Sequence, residues 1–185
     1  SIDIYVYGYV FNYLNLSNVN VKLADNTLSS MNVKAYISGA SKLEANLIST
    51  KELNINVSGA STTNIKEIYS DNIKIDASGA SNINLKNGEV KSLDINESGA
   101  TSIASKASIN ELSLNVSGAS NANFFEATIN TGETTISGAS KVKLTFIESF
   151  KVSLSGASKL EDYTLDGKLE IVSNSGASSC INITK

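Results

Sequence analysis

The chain has 185 residues, about the length of one domain, and its formal net charge of −3 comes from 18 acidic residues and 15 lysines. The sequence contains no Arg, His, Pro, Trp or Gln, and 41% of its residues are hydrophobic. Without His there is no catalytic Ser-His or Cys-His pair and no imidazole metal ligand. Without Arg, a weakly acidic chain is a poor match for nucleic acid. A single Cys excludes an internal disulfide, and no apolar run reaches the ~18 residues of a membrane span.

The segment 1–17 differs from the rest of the chain and is interpreted as a separate N-terminal strand. Apolar residues occupy both of its faces, with Ile4, Val6 and Val10 on one face. The other face carries five aromatic residues: Tyr5, Tyr7, Tyr9, Phe11 and Tyr13. A strand that is apolar on both faces aggregates if water covers it, so we expect it to be covered by protein. Two coverings are open: the strand caps the first coil of its own chain, or it contacts another subunit.

Residues 18–185 form a repeat domain. The tetrapeptide Ser-Gly-Ala-Ser begins at Ser38, Ser58, Ser78, Ser117, Ser137, Ser155 and Ser175, and a Ser-Gly-Ala-Thr variant begins at Ser98. The motifs are spaced almost evenly, and several successive intervals are identical. Residues 18–37 align at the same offset without the motif, which indicates a degenerate first coil.

Between the motifs, apolar and polar residues alternate with a period of two, as at Leu53, Ile55 and Val57. This alternation predicts strands with one buried face. A unit of this length is too short for a strand-helix-strand unit, and hairpin turn signals are rare. We therefore predict an all-β fold, a right-handed parallel β-helix (β-solenoid) of about nine coils of 18–20 residues, stacked ~4.8 Å apart.

Stacking of the coils places equivalent residues in columns. Two apolar columns are predicted to point inward, one made of Leu43, Ile83, Ile103, Val142, Leu160 and Cys180, and one made of Leu53, Ile73, Leu93, Leu112 and Phe150. The Gly and the second Ser of each motif are expected to continue the inward parity. We expect stacked Ser hydroxyls to hydrogen-bond along their column. Looser corners are expected around residues 66–71 and 86–90.

The C-terminal repeat stops at Lys185, about half a coil after its motif begins. An open solenoid end exposes strand edges and core, so it needs a covering. Completion of this half coil by residues 1–17 of the next subunit would be β-augmentation, and repetition of that contact builds a head-to-tail filament. The predicted inter-subunit contact residues are the five aromatic residues of the N-terminal strand on one side and Cys180, Ile181 and Ile183 on the other.

The recurrent Ser-Gly-Ala-Ser, followed by Lys or Asn and then an apolar, a polar and an apolar residue, resembles the auto-transporter adhesin head (GIN) domain family. The resemblance covers about residues 38–185. It implies a parallel β-helix, an extracellular or cell-surface location and a structural or adhesive role. It implies no catalytic residue and no cofactor, so we expect a non-enzymatic protein that forms a homo-oligomer without nucleic acid or a membrane span.

Two other functions stay open. A monomeric adhesin-type module would recognise a surface glycan or protein along an outer face, where Tyr69 and Tyr163 are the candidate contacts. A polysaccharide-degrading β-helix enzyme would need clustered carboxylates. The densest acidic group is Glu161, Asp162 and Asp166. We expect it to be a solvated acidic corner, with a weak Ca²⁺ site as the alternative.

Overall fold

The computed structural model describes residues 3–6, 12–164 and 166–183 and shows a parallel β-solenoid of about eight turns. The predicted fold class is confirmed, and the predicted nine coils are close to the observed number. The strands of the described residues are β1 (Asp3–Val6), β2 (Tyr13–Ser17), β3 (Asn20–Ser38), β4 (Lys42–Val57), β5 (Thr62–Ala77), β6 (Asn82–Glu97), β7 (Ser102–Ser105), β8 (Ser108–Val116), β9 (Asn121–Ile136), β10 (Lys141–Leu154), β11 (Lys159–Asp162), β12 (Lys168–Asn174) and β13 (Ser179–Asn182).

Each coil pairs in parallel with the coils before and after it. Between β4 and β5, for example, the register runs from Lys42 opposite Thr62 to Val57 opposite Ala77, and the offset between partners stays constant throughout. The pairing falls into three runs, 42–45, 47–50 and 52–57, so each long strand bends twice before it reaches the Ser-Gly-Ala-Ser turn. Equivalent residues of successive coils therefore stack in columns, as the repeat predicts.

The interior is filled by the two apolar columns predicted from the alternation. Leu53, Ile73, Leu93, Leu112 and Phe150 are all buried, and so are the first five members of the other column, Leu43, Ile83, Ile103, Val142 and Leu160. Complete burial of such a side chain contributes about 1.5–3 kcal/mol. Cys180, the last member of that column, is only half-buried, because β13 pairs on one edge only among the described residues.

Differences in coil length collect in one region of the coil, between its first and second runs. Leu23 of β3 lies opposite Ala45 of β4, whereas Thr27 lies opposite Leu47, so β3 is locally longer than its partner. The shorter coil after Ser98 lacks one residue between Ser105 and Ser108, where the strand divides into β7 and β8. Two register shifts are exceptions: one in β10 between Phe146 and Ser149, before the third run, and a bulge in β12 beside Val152. This region corresponds to the corners predicted to be looser.

Candidate functional site

The Ser-Gly-Ala-Ser motif forms the third corner of each coil. All eight motif glycines have φ between 70° and 86°, in the left-handed region that side chains disfavour. A Cβ on Gly118 would lie 2.4 Å from the carbonyl oxygen of Gly99 in the coil before. The amide of Ala119 donates to that same oxygen at 2.7 Å. Glycine is therefore required here both by its backbone conformation and by the close approach of the neighbouring coil.

The motif glycines are exposed, so the prediction that they point inward is wrong. A left-handed residue interrupts the alternation of a strand, and the chain regains its inward parity only at the second Ser. That Ser is buried, as predicted; Ser61 and Ser81 are examples.

The hydroxyl of the second Ser closes its own turn. Ser81 Oγ donates to the carbonyl oxygen of Ser78 at 2.6 Å, and four other motifs make the same bond. Hydroxyl bonding along the column, which the sequence predicts, is seen between Thr101 Oγ1 and Ser120 Oγ at 2.9 Å. The hydroxyl of the second Ser is therefore used inside the fold, which gives this residue of the motif a structural role.

At the N-terminal end, β1 and β2 lie against the first coil of their own chain. Tyr5 is opposite Lys22 in the register of β1 and β3, and Tyr13 is opposite Lys34 in that of β2 and β3. The exposed Tyr13 ring packs near that of Tyr36, with centroids 5.6 Å apart. The other predicted contacts, Tyr7, Tyr9 and Phe11, lie outside the described residues. Within the described ranges, β1 and β2 each pair with β3 alone, so their outer edges carry no partner strand.

At the C-terminal end, β12 pairs only with β10 and β13 only with β11 among the described residues. Three large apolar side chains on these two strands are exposed: Ile171 at 48%, Val172 at 59% and Ile181 at 41%. Of these three side chains, Ile181 is a predicted contact. The other two predicted contacts on this side, Cys180 and Ile183, are half-buried. Burial raises the pKa of the Cys180 thiol, so it stays protonated and unreactive at neutral pH.

Glu161 is buried among lysines, so the prediction of a solvated acidic corner is wrong for this residue. Its Oε1 lies 2.7 Å from Lys141 Nζ and 2.9 Å from Lys159 Nζ, and its Oε2 lies 3.7 Å from Lys143 Nζ. Hydrogen bonds from Lys141 and Lys159 lower the pKa of Glu161 to about 2. The Tyr163 hydroxyl donates to Oε2 at 3.2 Å.

The other two acidic residues of that group have surroundings different from those of Glu161. Asp162 is buried, and its two oxygens accept from the Thr164 amide at 2.9 Å and from Asn182 Nδ2 at 3.1 Å. Asp166 is exposed. No cluster of three or more His, Cys, Asp or Glu that could hold a metal ion is found in the described part of the chain. The three carboxylates therefore do not converge on one Ca²⁺ position.

The two candidate tyrosines belong to different surroundings. Tyr69 is exposed and lines an open groove across several coils, together with Met31, Lys51, Asp71, Glu89 and Asn110. Lys91 Nζ lies 2.6 Å from Asp71 Oδ1 in the same groove. Tyr163 is half-buried, and its ring meets that of Phe125 edge to face with centroids 4.5 Å apart. Tyr69 alone of the two therefore offers an open aromatic surface.

Glu97 is a buried residue that the motif analysis missed. It occupies the inward position before the Gly turn, which Val57, Ala77, Val116 and Ile136 hold in other coils. Only 2% of Glu97 is exposed, and burial raises its pKa to about 7. The sequence contains the signal for it: a carboxylate in an apolar column, next to the single Thr variant of the motif.

Comparison with known proteins identifies one family. The family model described as auto-transporter adhesin, head GIN domain, matches residues 15–164, which is four-fifths of the chain. Searches of the curated proteins and of the solved structures gave no match. No helix in the described ranges is long and apolar enough to cross a membrane.

Proposed function

The chain belongs to the auto-transporter adhesin head (GIN) domain family, and on that premise we propose that it is a non-enzymatic, extracellular surface protein that assembles head to tail into filaments. Family membership indicates an adhesin-type role at the cell surface. The observation that supports assembly is the combination of strand edges and exposed apolar side chains at both ends of the described solenoid.

The two ends are compatible in strand direction. All strand pairs in the described solenoid are parallel, so a second copy stacked on β12 and β13 through its own β1 and β2 continues the ladder in the same direction. This contact is heterologous and does not close, which produces a filament instead of a dimer. In this arrangement one edge of β1 and β2 pairs with β3 of the same chain, and the other edge contacts the neighbouring subunit.

The apolar side chains supply the driving force for this contact. The proposed interface places Cys180, Ile181 and Ile183 of one copy against the aromatic face of the next, which comprises Tyr5, Tyr7, Tyr9, Phe11 and Tyr13. Ile171 and Val172 extend the C-terminal side. Burying ~100 Å² of each exposed Ile or Val contributes about 2–3 kcal/mol, before the cost of immobilising the subunit.

Lysine substitution at the C-terminal edge tests this proposal, because edge lysines oppose strand pairing without disturbing the core. We expect electron microscopy of the wild type to show fibres that lengthen with concentration, and the double variant V172K/I181K to give discrete short rods. The matched control is I147K, since Ile147 is 55% exposed in β10, which has partner strands on both of its edges. Wild-type rods at every concentration, or fibres of V172K/I181K as long as those of I147K, would refute assembly through these ends.

The Tyr69 groove favours a second function, recognition of a surface glycan. An exposed aromatic ring beside carboxylate and amide groups is suited to stacking against a sugar and to hydrogen-bonding its hydroxyls. A glycan array probed with the wild type, Y69A and Y36A tests this function. Tyr36 is the control, because its ring is exposed to a similar degree outside the groove, 39% against 43%. Selective binding that Y69A abolishes and Y36A retains would support recognition in the groove.

A further inference from the structure

We propose that Glu97, Thr101 and Ser120 form a proton-ordered chain inside the solenoid, which holds Glu97 as a neutral carboxylic acid and loosens the surrounding coils when Glu97 ionises. This switch is independent of filament assembly, since its three members lie in the middle coils and away from both ends.

The number of available hydrogens links the directions of the bonds in this chain to one another. Ser120 Oγ lies 2.8 Å from the carbonyl oxygen of Ser117, which has no hydrogen, so the Ser120 hydroxyl donates there. Thr101 Oγ1 lies 2.9 Å from Ser120 Oγ and 2.9 Å from Glu97 Oε2. A hydroxyl carries one proton. If Thr101 donates to Ser120, the proton between Thr101 and Glu97 has to come from Glu97.

Ionisation of Glu97 reverses this order. Thr101 then donates to the carboxylate, and Ser120 Oγ has to donate to Thr101 or lose that partner. The Ser117 carbonyl in turn loses the hydroxyl bond that closes the turn in the neighbouring motifs, as Ser81 closes the turn at Ser78. The remaining oxygen, Glu97 Oε1, is buried without a hydrogen-bond partner. A neutral carbonyl oxygen tolerates such a position much better than a charged one.

No charged group of the described residues faces Glu97 to compensate its charge. The stacked positions on either side are apolar, Ala77 on β5 and Val116 on β8. The other charged residues of β5, β6 and β8 all lie at exposed or half-buried positions; Asp76, Asp94 and Glu111 are examples. Burial raises the pKa of Glu97 to about 7, and the Thr101 hydrogen bond offsets only part of this effect.

The sign of the effect on stability follows from the raised pKa. Below pH 4.5 the carboxyl is protonated in both folded and unfolded chains, so it adds no pH dependence. Between pH 4.5 and about 7 the unfolded chain ionises first, and folding becomes progressively less favourable. A difference of about 2.5 in pKa corresponds to a total rise of about 300-fold in the unfolding equilibrium constant, from pH values well below 4.5 to values well above 7.

Urea unfolding of the wild type and of E97Q between pH 4 and pH 8, compared at each pH, tests the proposal. Gln keeps the shape and can donate its amide hydrogen to Thr101, so we expect the ratio of the unfolding constants, wild type over E97Q, to rise about 200-fold between pH 4 and pH 8. E133Q, at an exposed outward position, should keep the pH dependence of the wild type.

Infrared spectroscopy provides a readout that a merely structural role of Glu97 would not change. The wild type at pH 6 should show the carbonyl stretch of a protonated, buried carboxyl group, and E97Q should lack it. A constant ratio between the wild type and E97Q across the pH range, or the absence of this band in the wild type at pH 6, would overturn the proposal. If E97Q does not fold, E97V replaces it, because Val is the residue that other coils have at this position.

Discussion

Replacement of Gly118 by Ala tests whether the backbone contact between stacked corners stabilises the solenoid. The new methyl group would lie 2.4 Å from the Gly99 carbonyl oxygen, whereas ordinary contacts begin near 3.4 Å. The corners would have to separate by about 1 Å. The Ala119 amide, which donates to the same oxygen at 2.7 Å, would then lose its hydrogen bond.

Two costs add in this variant. Placing Ala in a left-handed conformation costs about 1–2 kcal/mol, and loss of the corner hydrogen bond costs about 1 kcal/mol. We therefore expect G118A to lower the free energy of unfolding by about 2–3 kcal/mol. For a chain of this size such a loss lowers the Tm by roughly 4–12 °C.

Urea unfolding followed by circular dichroism measures this difference, and G39A is the matched control. Gly39 has nearly the same φ, 70° against 78°, but its Cβ would meet the side chain of Asn18 instead of backbone. That side chain can rotate away, and the exposed Ala40 amide that donates to Asn18 Oδ1 at 3.1 Å can then bond to water, so we expect G39A to lose only about 1–2 kcal/mol. Equal losses in G118A and G39A would show that backbone conformation alone sets the cost and that the contact between corners contributes nothing.

Two further predictions concern the core and the lysine-bound carboxylate. F124A should lower the free energy of unfolding by about 3–5 kcal/mol because Phe124 is fully buried, whereas F125A, at an exposed neighbour, should lower it by less than half as much in the same urea titration. Glu161, with its pKa lowered to about 2, stabilises the fold above pH 4.5, and this contribution is lost as the pH falls toward 2. Acid titration of E161Q should therefore show a shallower loss of stability between pH 4.5 and 2 than the wild type, and an identical profile would mean that the three lysines do not hold a charged carboxylate.

The fold and the buried columns could be predicted from the sequence because each coil repeats the same alternation. A period of two identifies inward positions wherever the backbone is extended, and the spacing of the motif sets the register. The rule fails at the motif glycines, since their left-handed φ takes the chain out of the extended conformation, and they lie at the surface although the alternation places them inside. The alternation also does not indicate the partners of Glu161. Lys141 reaches this carboxylate from the coil before, and the register offset between these two coils is shorter than that between most other coils.

Glu97 shows the opposite case: the alternation of the strand predicts its burial, although the Ser-Gly-Ala-Ser motif does not include it. Parity places this carboxylate inside, and its burial follows directly. The hydroxyl partners Thr101 and Ser120 could not be predicted, since their bonds depend on how the two turns lie above each other. The sequence also does not indicate which strand edges stay unpaired at the ends of the solenoid, because an unpaired edge depends on how the coils stack and not on any one strand.

The concentration of most length changes at one corner of the coil has a practical consequence for protein engineering. The chain adds two residues near Leu23 and omits one before Ser108 while the stacked glycine turns remain in place. This corner therefore accepts insertions and deletions, whereas the glycine turns keep the coils in register. Peptides grafted at this corner in successive coils would be displayed in a row at a spacing of ~4.8 Å.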